Sequence, residues 1–198
     1  MPIDTDRRRL SLALGALAVA GVPVGHAAEG AGKDGLYTIE IVIFRNGGAA
    51  AGEDLGASGG RSASGDSDSG GGSGSMKLGE LLPASRHRLG DVARRLASGG
   101  GHKVLAHAAW TQTAGSWNSA GGISAEQLGL STAGFSGTVQ LERGLYLHLG
   151  FNLRYSAGGA HYALSELRRV KFNERNYYDH PAIGIVAVVT QGGAGTSP

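Results

Sequence analysis

Cysteine is absent from this 198-residue chain. That excludes disulfides, thiolate metal sites and cysteine nucleophiles, and it leaves the core and the hydrogen-bond ladders to hold the fold. A charge excess is absent too. The formal net charge is +2, and loss of an N-terminal leader carrying Arg7, Arg8, Arg9, Asp4 and Asp6 would lower it by one. That balance argues against a nucleic-acid-binding protein. A long apolar span is also missing. The run from Leu10 to Val24 has fifteen residues, against the roughly 20 that cross a bilayer. Preceded by Arg7 to Arg9 and followed by the small residues Gly25 and Ala27, it reads as a cleaved export signal over residues 1–27, not as a transmembrane anchor. Ser11 departs from the second apolar residue that twin-arginine signals prefer, so the general and twin-arginine export routes both stay open. Without a cysteine at the junction there is no lipoprotein anchor.

Glycine is what the chain has in excess, and it is concentrated. Residues 46–75 hold eleven Gly and seven Ser, no aromatic residue and almost no large aliphatic one. Such a segment cannot bury enough apolar surface to fold, and is expected to be a disordered loop with an r.m.s. span of roughly 30 Å. Only one strand's worth of sequence, Leu36 to Arg45, lies between the signal and this loop. The remainder, residues 28–198, is therefore expected to be a single domain into which that first strand is inserted.

Periodicity supplies the elements. Tyr37, Ile39, Ile41 and Ile43 alternate, with Val42 and Phe44 on the other face, which predicts an inner strand. Leu89, Val92, Ala93 and Leu96 follow helical spacing and predict an amphipathic helix over 85–98, with Ser85 as N-cap and Gly99 to Gly101 as its end. Lys103 to Trp110 predicts a strand covered in part on both faces. Val139, Leu141, Leu145, Leu147, Leu149, Phe151, Leu153 and Tyr155 share one parity. A three-residue hairpin loop at Glu142 Arg143 Gly144, with the glycine left-handed, keeps that parity by pairing Leu141 with Leu145, whereas a two-residue loop at Arg143 Gly144 would oppose Glu142 and Leu145; one long strand bent at Gly144 is the alternative. Further strands are expected over 161–172 and 182–190, with a polar turn over 173–181 that includes room for one helical turn. The order predicts an α+β domain, a mainly antiparallel sheet with one principal helix on one face, in a ferredoxin-like arrangement with extra strands.

Chemistry-bearing patterns are sparse. The seven histidines show no zinc-ligand spacing, and a folded grouping of His107, His148 and His180 has no support from sequence. No cofactor or metal is implied. No Gly-x-Ser-x-Gly elbow stands between a strand and a helix. Of the carboxylates in the folded part, only Glu174 and Asp179 form a plausible hydrolytic pair, and both are more simply read as partners of Arg168, Arg169 and Arg175. The basic clusters Arg86, Arg88, Arg94, Arg95 and Arg168, Arg169, Lys171, Arg175 read as solvated faces.

Four ordered segments carry a resemblance. They are Tyr37 to Arg45; Val104 to Gln112, with His107, Trp110 and Gln112 in a His-x-x-Trp-x-Gln pattern; Tyr146 Leu147 His148 Leu149 with Leu153; and Arg168 Arg169 through Tyr177 Tyr178 Asp179 His180 Pro181 to Gly184. Together they resemble the CsiV family of periplasmic proteins, with Leu145 where the family pattern has arginine. The resemblance implies a non-enzymatic periplasmic accessory protein that binds peptidoglycan and supports wall synthesis, with a penicillin-binding synthase or its lipoprotein activator as further partner. A protein-interaction module without glycan contact is the alternative, and a wall-modifying hydrolase a third. Residue type then nominates the binding groups. Trp110, Tyr146, His148, Tyr178 and His180 stack on sugars or bond amides, Arg168 and Arg169 meet carboxylates, and Asp179 belongs to the same closing block.

Overall fold

Strand β1 (Leu36–Asn46) is covered on both faces. Tyr37 through Phe44 are all buried. In this computed structural model, which describes residues 35–47, 76–157 and 159–192, β1 is the centre of an antiparallel five-stranded sheet. The order is β2 (Leu78–Leu81), β3 (His102–Thr113), β1, β10 (Ile183–Gln191), β9 (Arg175–Asp179). A second sheet has the order β4 (Gly115–Ser116), β6 (Phe135–Arg143), β7 (Leu147–Ala157), β8 (Ala160–Val170), with β5 (Ile123–Ser124) also paired to β6. Its β4–β6 pair is parallel and the rest antiparallel. The expected export signal and residues 48–75 of the expected loop lie outside the described residues. Asn46, expected in that loop, instead closes β1 and pairs with His102.

One core joins the two sheets. Tyr37, Ile39, Ile41, Ile43, Trp110, Ile185 and Val189 of the first sheet pack with Val139, Leu141, Leu149, Phe151 and Leu153 of the second. Tyr178 spans the gap, stacking edge-on against Phe151 with ring centroids 4.6 Å apart and donating its hydroxyl to the Leu149 carbonyl at 2.8 Å. The single α-helix among the described residues, α1 (Gly90–Ser98), lies on the other face of the first sheet. There Leu89, Val92, Ala93 and Leu96 pack on Val42, Val104, Val186 and Val188. The architecture is therefore α+β with sheet predominant, in three layers of helix, sheet and sheet. The ferredoxin-like version is not confirmed: that unit puts two helices on one sheet, whereas here a second sheet covers the face opposite the single helix.

Three local expectations are corrected. The helix starts at Gly90, not at Ser85, which sits in a short 3-10 turn, Ala84–Arg86. Its entrance is capped from far away in sequence: the Glu40 carboxylate on β1 accepts the Arg88 N–H and the Leu89 N–H, each at 2.7 Å. Residues expected as a polar turn include an edge strand, β9, paired with β10 from Gly184 opposite Asp179 to Val188 opposite Arg175. The β6–β7 hairpin does have a three-residue loop, but at Gly144 Leu145 Tyr146. Arg143 pairs with Leu147 and Leu141 with Leu149, so Leu145 leaves the core face and stands 90 % exposed at the tip.

Within β6, Gly137 has φ +108°, and an added Cβ would lie 2.0 Å from the Asn152 carbonyl oxygen on β7. Gly137→Ala is therefore expected to destabilise the chain by about 2 kcal/mol or more, lowering Tm by roughly 5–10 °C. Gly90→Ala serves as the control. Gly90 opens the helix with ordinary φ and free space around it, and the same melt should leave Tm unchanged or raise it by a few degrees.

Candidate functional site

Strand alternation divides the nominated residues between three locations. Cross-strand partners share a face, so Arg168, opposite the buried Leu149, points with the inner face of the second sheet, while Arg169, opposite His148, points outward. The two adjacent arginines thus do different things. Arg168 closes one edge between the sheets: its Nη1 donates to the Tyr177 carbonyl at 2.9 Å, its guanidinium lies 5.5 Å over the Tyr178 ring, and it is ion-paired with Glu166. Trp110 and Tyr178 are both fully buried, and Trp110 donates its indole N–H to Gln112 Oε1 at 2.6 Å. The His-x-x-Trp-x-Gln pattern is in this respect a core pattern. Neither aromatic side chain can meet a polymer, and burial pushes the Tyr178 phenol well above its ordinary pKa.

Asp179 and His180 lie where β9 ends. Asp179 accepts the Tyr177 hydroxyl at 3.0 Å, and the Tyr177 phenol is held above its usual range by partial burial and by that carboxylate. The His180 Nδ1 accepts the Ala182 N–H at 3.2 Å, a contact that sets the turn into β10. The proposed hydrolytic pair does not form. Glu174 and Asp179 sit at opposite ends of an extended strand, roughly 16 Å apart along the chain, beyond the 5–9.5 Å that glycosidase carboxylates need. Glu174 pairs instead with Lys171 at 3.5 Å.

Tyr146, His148 and Arg169 do assemble, on the outer face of the second sheet beside the hairpin loop. Glu142, His148 and Arg169 stand opposite one another across β6, β7 and β8. The Arg169 guanidinium lies 3.4 Å over the Tyr146 ring. The row gains a member that residue type did not nominate: the parallel pairing of β4 with β6, Ser116 opposite Arg143, delivers Trp117 to the hairpin end. Its ring lies 4.3 Å from the His148 ring at 47°. Gly144 has an ordinary φ and is needed for space instead, because a Cβ there would be 3.0 Å from Trp117 Cβ. Trp117 is 48 % and Tyr146 41 % exposed. Glu142 is buried beneath them and accepts the Asn118 N–H at 3.2 Å. The His148 Nδ1 is shielded from solvent and has no hydrogen-bond partner among the described residues. A tryptophan isolated among small residues, with no periodic apolar neighbours to bury it, was the available signal for this member.

The result is an open shelf of two aromatic faces, an imidazole and a guanidinium, flanked by the exposed apolar side chains of Leu145 and Leu167. Such a surface can stack on sugar rings and bond amides or carboxylates along an extended ligand. Comparison with known proteins gives one family: the model described as "Peptidoglycan-binding protein, CsiV" matches residues 66–192. No curated protein and no solved structure matches the chain significantly.

Partial burial holds the His180 imidazole below its ordinary pKa, with the Asp179 charge opposing the shift. An NMR titration should place its midpoint below about 6.5, and Asp179→Asn should lower it further. The folded state then binds fewer protons than the unfolded chain between the two midpoints. The stability contributed by neutral His180 is present above about pH 6.5 and is lost as pH falls from there through the folded midpoint. A midpoint at or above the ordinary value would contradict this.

Proposed function

The chain belongs to the family described as peptidoglycan-binding protein, CsiV, and from that premise we propose that it binds peptidoglycan, without performing chemistry on it, through the outer face of its second sheet. The observation that carries this reading is the convergence of Trp117, Tyr146, His148 and Arg169 on one exposed shelf. Aromatic faces pack on the C–H faces of sugars, and an arginine is suited to the carboxylates of a peptide stem. The separation of Glu174 from Asp179 along β9 favours binding over hydrolysis. Arg168, Trp110, Tyr178 and Asp179 support the shelf's scaffold and do not contact the ligand. The ligand's location outside the cytoplasm agrees with periplasmic export through residues 1–27.

Leu145 favours a second contact. It is 90 % exposed at the hairpin tip, beyond the stacking row. It is the most exposed large apolar side chain among the described residues, and we assign it to a wall-synthesis partner, a penicillin-binding synthase or its lipoprotein activator.

In a pulldown with purified sacculi, the full chain should be retained. Trp117→Ala and Tyr146→Ala should each reduce retention by about 2–12-fold, the scale of one lost stacking contact, with Tm unchanged within a few degrees because both side chains are about half exposed. Leu145→Ser should keep sacculus binding and lose co-purification of the synthase or activator. Absence of wild-type retention, or full retention of both aromatic variants, would refute the assignment.

A further inference from the structure

We propose that Glu40, His87 and His107 form a binding site for one Zn²⁺ ion at the entrance to helix α1. One ligand-type atom from each residue lies within 4.8 Å of the other two, and this is the only such grouping among the described residues. The three come from separate elements: Glu40 from β1, His107 from β3, and His87 from the segment between the 3-10 turn and α1. Two imidazoles and one carboxylate are a donor set that zinc accepts, with a fourth position left for water.

The surroundings are those of a ligand set already oriented. His87 Nε2 lies 3.2 Å from the Leu82 carbonyl oxygen. A carbonyl only accepts, so Nε2 carries the proton and Nδ1 keeps its lone pair. Zinc-ligating histidines habitually donate their second ring N–H to such an acceptor, which fixes the ring and raises its basicity. The Glu40 carboxylate is 2 % exposed and fixed by the Arg88 and Leu89 N–H groups; the second lone pair of Oε1 faces His107 Nε2, and Oε2 retains a further one. The His87 and His107 rings are 4.2 Å apart. His107 Nε2 lies 2.7 Å from Glu40 Oε1, a hydrogen-bond distance. A tetrahedral zinc spaces its ligand atoms by about 3.4 Å, so the ion replaces the shared proton after a shift of about 0.7 Å. The His107 side chain is 20 % exposed, which gives an ion access.

Zinc here would tie β1, β3 and the start of α1 together, on the helix side of the first sheet. The glycan shelf lies on the second sheet, so sacculus binding bears on neither outcome.

The test uses the full chain stripped with a chelator and titrated with Zn²⁺ alone. Calorimetry should show saturation at one ion per chain in the micromolar range or tighter. Nitrogen-resolved imidazole NMR should shift His87 and His107 while leaving His102, His148, His161 and His180 in place. Tm should rise by roughly 5–10 °C at zinc 100-fold above Kd. His87→Ala, which leaves the Glu40 cap intact, should weaken binding by about 10-fold or more. Unsaturable binding, shifts confined to the other histidines, or unchanged affinity in a folded His87→Ala protein would overturn the proposal. If that variant does not fold, the wild-type imidazole spectrum decides.

Discussion

Burial of the first sheet's inner face against the second's is the constraint from which the rest of the molecule follows. With no cysteine to cross-link the chain, that shared core must supply most of the stabilisation. It also sets every side-chain direction, because strand residues alternate and a one-residue slip would exchange core for solvent. Leu141, Leu149 and Phe151 go inward only if Glu142, His148 and Gly150 go outward. Likewise Arg168 and Glu166 must face the sheet interface at its edge while Arg169 faces out. The three-residue loop preserves this parity through the hairpin. The exposed shelf is thus a consequence of the core, since inward burial of the leucines places Tyr146, His148 and Arg169 together.

The other face of the first sheet is organised by a buried charge. An ionised carboxylate removed from water is tolerated only with full hydrogen bonding, and Glu40 obtains two backbone N–H donors and the His107 imidazole. The same bonds satisfy donors at the helix entrance that no intrahelical carbonyl can reach. A negative group there also complements the positive end of the helix dipole. One residue of β1 therefore decides where α1 begins and how it is seated on the sheet. Preorganisation of that carboxylate beside two imidazoles is what makes the corner a metal-site candidate.

Legibility from sequence tracks the range of the interaction. The β1, β3, β6–β7, β8 and β10 strands were readable because alternation or two-faced apolarity is local. So was the apolar stripe of α1. The start of that helix was not, because its cap comes from a carboxylate 48 residues earlier. The hairpin loop was displaced because Leu145 has the parity of the core residues and nothing local marks it as exposed. Edge strand β9 was hidden by its polar sequence, Arg175 Asn176 Tyr177 Tyr178 Asp179, of which only Tyr178 is buried. Division of the strands into two stacked sheets depends on non-local pairings that periodicity does not encode. At the shelf, Tyr146, His148 and Arg169 were nominated by type, but Trp110 and Tyr178 were nominated on the same ground and are core. Trp117 and the Glu40–His87–His107 trio were missed because each depends on chain crossings.

Contact of the ligand with the outer face of the second sheet is tested by an NMR titration of the isotope-labelled full chain with soluble peptidoglycan fragments carrying both glycan and stem peptide. Saturable shifts are expected at the Trp117 indole, Tyr146, His148 and Arg169, with α1 and the buried Trp110 indole unmoved. Shifts centred on the arginines of α1, or none at fragment concentrations where intact sacculi retain the protein, would contradict it.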